Sequence, residues 1–217
     1  MQMEKKTIVV CVIGNSFSEK FLRSWTELLG YANANNIQLI LSNFSGEKIF
    51  SSKNKCLLAD SSKGEDQPLF QDKIKYDYTL FLSNKAVFNI EHFKNLLEME
   101  KDVVSCVSSN RYDLNKLNFI ESIDYDIDAS YEYVTRNNLK EYVEKHEDVL
   151  KVDYNEMTFT LIKKGVFEKI KYPWFNVETS SGDLSGDVYF YKMCKSLNID
   201  TFISLKNIIG IENNIVI

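Results

Sequence analysis

Residues 7–13, TIVVCVI, form an unbroken apolar run dominated by β-branched side chains, and the run closes at once on Gly14-Asn15-Ser16. A strand that is apolar on both faces has to be covered on both. That is the situation of a central parallel strand in an α/β sheet, not of an antiparallel sheet with one wet face. The next thirty residues agree with this. Ser18 precedes Phe21, Leu22, Trp25, Leu28 and Leu29 at helical spacing, the stretch ends among Asn33, Asn35 and Asn36, and residues 37–41, IQLIL, read as a second strand. The spacing therefore predicts a βαβ opening, with Ser16 or Ser18 as the helix cap. Units of this kind hold ligands at the carboxyl edge of their strands. The turn does not match G-x-G-x-x-G, which argues against a dinucleotide-binding fold.

The first half continues as repeated βα. A polar connection over residues 42–50 leads to SSKNKCLLA at 51–59, read as a helix with Lys53, Asn54 and Lys55 near its start. Those basic groups either face a phosphate or form a solvated helix end. After a loop over 61–75, the stretch YDYTLFLSNKAVFNIEHF reads as a buried strand (76–82), a loop Ser83-Asn84-Lys85 at the sheet's active edge, and a helix over 91–98. Residues 102–107 are a further apolar run. His92 is expected on the exposed face of its helix.

From 108 to 151 the pattern weakens into a polar, tyrosine-rich stretch. Asp124, Asp126 and Asp128 alternate there, but without the glycine turn and glutamate of a calcium loop they read as solvated. A strand is expected over 131–135 and a helix over 139–146, with His146 at the surface. Residues 152–163, VDYNEMTFTLIK, read as one long strand, followed by a helical turn at 165–170. Tyr172-Pro173-Trp174-Phe175 is either core or the wall of a pocket. After the loop 182–187 comes a helix over 188–197, with Val188, Tyr191, Cys194 and Leu197 on one face, and short strands at 201–204 and 208–211 close the chain.

Composition sets the outer limits. The 217 residues suit one domain spanning 1–217, and 44% apolar content without a bilayer-length apolar run points to a soluble protein. The 26 basic and 31 acidic residues are well mixed and leave a net charge of -5, so duplex nucleic acid is not a favoured partner. Cys11, Cys56, Cys106 and Cys194 are widely spaced and make no C-x-x-C pair. Reduced core thiols and a cytoplasmic location are the expectation, and the apolar start is an ordinary first strand, not a signal peptide.

The segments TIVVCVIGNSFSEKF, SSKNKCLLAD, YDYTLFLSNKAVFNIEHF, KVDYNEMTFTLIKKGVFEKIKYPWF and SGDVYFYKMCK, in this order and spacing, resemble compact GT-A glycosyltransferases of the family-two-like type, including stand-alone bacterial and phage versions. The resemblance runs over nearly the whole chain. It implies an α/β fold with a mixed, mostly parallel sheet flanked by helices, and a sugar transferred from a nucleotide-sugar donor lying over the first βαβ unit. Ile13, Gly14 and Asn15 would line the base and ribose, and Asn54 and Lys55 would approach the nucleotide or its phosphates. Asp187 matches the carboxylate that acts as catalytic base in inverting members, the alternative being a cap for the following helix. Asp183 is a second candidate on the same loop.

The chain departs from that pattern at one place above all. The central strand of such enzymes usually ends in an acidic D-x-D that holds a divalent metal; here Ser83, Asn84 and Lys85 stand there, and no histidine falls near Gly210-Ile211-Glu212. Manganese and magnesium want carboxylate oxygens, so the expectation is no metal site and no cofactor beyond the donor itself, with Lys85, helped by Lys55, near the diphosphate. The alternatives are a catalytically decayed domain that binds nucleotide sugars, or an interaction module. The acceptor is open among a glycan, a protein and a modified nucleic-acid base.

Overall fold

The first β-branched run becomes β1 (Lys6–Ile13), and β2 (Ile37–Phe44) lies parallel to it with Ile8 opposite Leu39. In this computed structural model residues 5–46, 48–110, 113–125, 132–176 and 187–212 are described. On the other side of β1 lies β3 (Tyr78–Ser83), again parallel, with Ile8 opposite Tyr78 and Ile13 opposite Ser83. The chain then passes through a two-residue strand, β4 (Ala86–Val87), β5 (Val103–Val107) and β6 (Phe119–Ile120). Later come β7 (Val149–Lys151), β8 (Tyr154–Asn155), β9 (Phe159–Lys163), β10 (Thr201–Ile208) and β11 (Gly210–Ile211).

Seven strands form the main sheet in the order β2-β1-β3-β9-β5-β10-β7. β9 runs antiparallel to both β3 and β5, β10 is parallel to β5, and β7 is antiparallel to β10 at the edge. Five strands thus share one direction. The mixed, mostly parallel α/β sheet flanked by helices that the sequence leads one to expect is the one observed. Two small ladders, β4 with β11 and β6 with β8, sit at its margin.

Helices cover both faces, as fully apolar strands require. α1 (Glu19–Ala34) starts at Ser18, whose Oγ accepts the Phe21 N–H at 3.0 Å, and buries Phe21, Ser24, Leu28 and Ala32. It packs beside α3 (Ile90–Glu98) over Ile8, Val10, Leu80 and Leu82. On the opposite face α2 (Ile49–Cys56) and α5 (Val188–Ser196) cover Val9, Cys11, Phe81 and Ile162, with Trp174 and Phe175 in the same core. The aromatic run at 172–175 is thus mainly core. α4 (Leu139–His146) closes a third cluster against Leu150, Ile203 and Leu205.

Three expectations are corrected. The single strand over 152–163 is broken: β8 pairs with β6, β9 joins the main sheet, and residues 156–158 turn between them. Their backbone groups are satisfied outside a ladder. The Glu156 N–H reaches the Asn118 carbonyl at 2.8 Å and the Ser83 N–H reaches the Thr158 carbonyl at 2.9 Å. His92 is half-buried, and its Nδ1 accepts the Asn89 N–H at 3.1 Å while Asn89 Oδ1 accepts the His92 N–H at 3.2 Å. It is the third residue of a capping box. The strand expected over 131–135 is absent over its described part, 132–135, where Thr135 makes only an isolated bridge with Lys116. Asp126, Asp128, Tyr131, Asp183 and Gly186 lie outside the described residues.

Candidate functional site

Because Ile13 and Ser83 are register partners, β1 and β3 leave the sheet side by side, one into Gly14-Asn15 and the other into Asn84-Lys85. A cavity of about 770 Å³ opens over this edge. Ile13, Gly14, Asn15, Ser83, Asn84 and Lys85 all line it, so six of the residues singled out in the sequence meet in one place. Ser45, Gly46, Ile49 and Lys53 add a second wall, and Ser109, Glu156, Met157 and Thr158 a third.

The two turns are braced against each other. Gly14 has φ +145°, and a Cβ on it would fall 2.3 Å from Asn84 Cγ. Glycine is therefore required both for its backbone angle and for the close approach. The Asn84 amide donates to the Ser16 carbonyl at 2.8 Å, and the Asn43 amide donates to the Val12 and Gly14 carbonyls, each at 2.9 Å. After Lys85 the chain enters β4, and the Glu212 N–H donates to the Lys85 carbonyl at 2.9 Å. The Lys85 backbone is thereby clamped while its side chain is exposed at the cavity.

α2 divides its polar residues by helical phase. Lys53 is only 3% exposed and faces the cavity, whereas Lys55, two residues and so about 200° further round, is exposed and outside it. Asn54 is buried and outside it too. Its amide donates to the Phe175 carbonyl at 2.7 Å and its Oδ1 accepts the Phe175 N–H at 3.2 Å, so both ends serve the fold. The cation that reaches the cavity from this helix is Lys53, not Lys55.

Asp187 is fully buried at the start of α5 and does not line the cavity. It occupies the cap position without capping; its carboxylate forms an ion pair with the Lys53 ammonium, and its Oδ2 accepts the Met157 N–H at 3.2 Å. The Lys53 ammonium also lies 5.4 Å from the Phe175 ring centre and 6.0 Å from that of Phe81, distances at which a ring face attracts a cation. Behind this pair burial pushes the Cys11 thiol well up, whereas a hydrogen bond with Cys11 draws the neighbouring Cys56 thiol down. Burial likewise raises the Tyr191 hydroxyl, with the Asp187 charge adding to it.

Glu156 is the cavity carboxylate that sequence reading missed. It is 2% exposed, and its Oε1 accepts the Asn110 amide at 2.9 Å. A signal was present: an acidic residue inside an otherwise strand-like apolar run has to be paired or functional. At the Ser83-Asn84-Lys85 turn, the side chains are a hydroxyl, an amide committed to the Ser16 carbonyl and an ammonium. That donor set does not fit a hard divalent cation, and among the described residues no cluster of three or more His, Cys, Asp or Glu could hold a metal. No helix among them is long and apolar enough to cross a membrane.

No protein-family model matches the sequence, and no curated protein matches it. Among solved structures, the crystal structure of A197 from STIV aligns with a TM-score of 0.52 at 15% identity, covering 98% of this chain and 96% of that one. The inositol-1-phosphate CTP transferase from T. maritima aligns with a TM-score of 0.39 at 9% identity, over 97% of this chain and 87% of that one. S. aureus TarS 1–349 also aligns at 0.39, with 11% identity, over 96% of this chain and 58% of that one. What the likeness to A197 carries is the fold, over almost the full length of both chains.

Proposed function

We propose that this protein is a glycosyltransferase-like protein that binds a nucleotide-sugar donor in the cavity over β1 and β3 and transfers the sugar without the usual divalent metal. The observation that carries the reading is the convergence of the Gly14-Asn15 turn, the Ser83-Lys85 turn and Lys53 on one cavity at the carboxyl edge of the sheet, the place where open α/β folds hold ligands. In this reading the first turn takes the nucleoside. Lys85 and Lys53 meet the diphosphate and supply, as fixed side-chain charge, part of what a metal supplies elsewhere. Glu156, which lines the same cavity, disfavours a diphosphate placed against its own carboxylate.

In an inverting transfer the acceptor oxygen bonds to the anomeric carbon. The bond from that carbon to the diphosphate breaks, its electron pair leaving with the diphosphate, and the acceptor proton passes to a carboxylate, for which Asp187 is the candidate. A second reading is favoured by one observation: Asp187 is closed behind Lys53. In that reading the domain has lost catalysis and keeps only donor binding.

Thermal-shift measurements with a panel of nucleotide sugars, each with manganese and with chelator, test the proposal. A stabilising shift that survives chelator, with release of the nucleoside diphosphate, is the expected result. A shift without turnover supports the binding-only reading, and no shift with any donor sinks both.

A further inference from the structure

Two charged side chains in this fold are buried together, yet only one of them touches the cavity. Lys53 lines it; Asp187 stands directly behind, with Lys53 as its ion-pair partner and the Met157 N–H on its other oxygen. Met157 is itself a cavity residue, so the lysine, the carboxylate and the cavity wall form one contiguous unit.

We infer that Lys53 is the phosphate-recognising cation of this cavity, and that a bound diphosphate draws the Lys53 ammonium away from Asp187. The inference rests on the reading that the cavity holds a nucleotide diphosphate. Lys53 is suited to the exchange. Its ammonium is a compact charge on a flexible stem, able to turn from one anion to another without moving α2. The Phe81 and Phe175 rings beside it stabilise the cation wherever it points within their reach. A diphosphate carries more charge than one carboxylate and competes for the ammonium on that account. Asp187 does not lose everything in the exchange, because Met157 still donates to it. The consequence is a competition: Asp187 and the diphosphate contend for one ammonium, so removing the Asp187 charge strengthens diphosphate binding.

Isothermal titration calorimetry with inorganic pyrophosphate and with UDP, GDP, CDP and ADP decides it. The proteins compared are the wild type, Lys53→Met, Asp187→Asn and the double variant, each checked for native circular dichroism. Asn keeps an oxygen for the Met157 N–H. The double variant removes both buried charges at once, which is better tolerated than stranding one. In the wild type at least one of these diphosphates, or pyrophosphate, binds. Lys53→Met and the double variant lose at least about tenfold in affinity, while Asp187→Asn gains severalfold, because the ligand no longer competes with a carboxylate.

Unchanged affinity in both Lys53 variants, or weaker binding in Asp187→Asn, overturns the inference. If Asp187→Asn does not fold, the double variant alone decides on Lys53. Binding of pyrophosphate but of no nucleotide keeps the inference and removes the nucleotide reading. Nucleotide binding that ignores Lys53 does the reverse, and binding of neither removes both.

Discussion

At the scale of single residues, Gly14 and His92 each hold a position that chemistry restricts sharply. A Cβ on Gly14 would meet Asn84 Cγ at 2.3 Å, and its φ of +145° is unfavourable for any other residue. Gly14→Ala therefore has to displace Asn84 from the Ser16 carbonyl and strain the turn, at a cost of about 1–3 kcal/mol. The expected outcome is a lower melting temperature together with loss of the donor-induced thermal shift; a variant that binds donor normally would show that the brace between the two turns is dispensable. His92 acts through its proton. Burial holds its pKa below the ordinary histidine value of 6.5, with a backbone hydrogen bond to Ile208 opposing, and its neutral Nδ1 accepts the Asn89 N–H. The unfolded chain takes up the proton first, so stability contributed by His92 is present above about pH 6.5 and is lost as pH falls below it. Urea unfolding between about pH 5 and pH 7.5 should show stability rising with pH. His92→Gln, which keeps a capping side chain without titrating, should flatten that rise, and an equal slope in both proteins would exclude His92 as its source.

At the scale of elements, what could be read in advance was whatever depends on local pattern. The βαβ opening, a helix cap at Ser16 or Ser18 (observed at Ser18), α4 over Leu139–His146 and a strand expected over 76–82 (observed at Tyr78–Ser83) follow from periodicity and caps over a few residues. The turns at Gly14 and Ser83 were legible as one site because parallel strands must end at the same edge. Features that depend on distant partners were not legible. The break between β8 and β9 is made by the Asn118 carbonyl and the Ser83 N–H, and the Lys53–Asp187 pair joins residues 134 apart in sequence. The basic triplet on α2 shows the same limit. Sequence names Lys53, Asn54 and Lys55 together, whereas helical phase turns Lys53 into the cavity, gives Asn54 to the Phe175 backbone and leaves Lys55 in solvent. Lys55→Ala is accordingly expected to change nucleotide-diphosphate affinity by less than about twofold, within the ±0.5 kcal/mol usual for surface sites. A loss of tenfold by calorimetry would return Lys55 to the site.

At the scale of the whole molecule, the cavity's cations belong to a protein whose net charge is -5, and the proposed ligand is an anion. The two fields act over different ranges. Repulsion by the net charge is felt through solvent and is screened as the Debye length falls from about 30 Å at 0.01 M ionic strength to about 8 Å at 0.15 M. Attraction by Lys53, 3% exposed at the cavity, acts at contact in a partly dehydrated site and is screened far less. Association should therefore speed up as salt is raised across that range, while dissociation changes little, the opposite of a protein that steers its anion with a broad basic surface. Stopped-flow measurement of nucleotide binding at the two ionic strengths checks this. If the association rate falls with salt, the exposed Lys85 and its surroundings at the cavity mouth dominate the encounter over the net charge. Lys85→Ala should then abolish the salt dependence and leave the dissociation rate governed by Lys53.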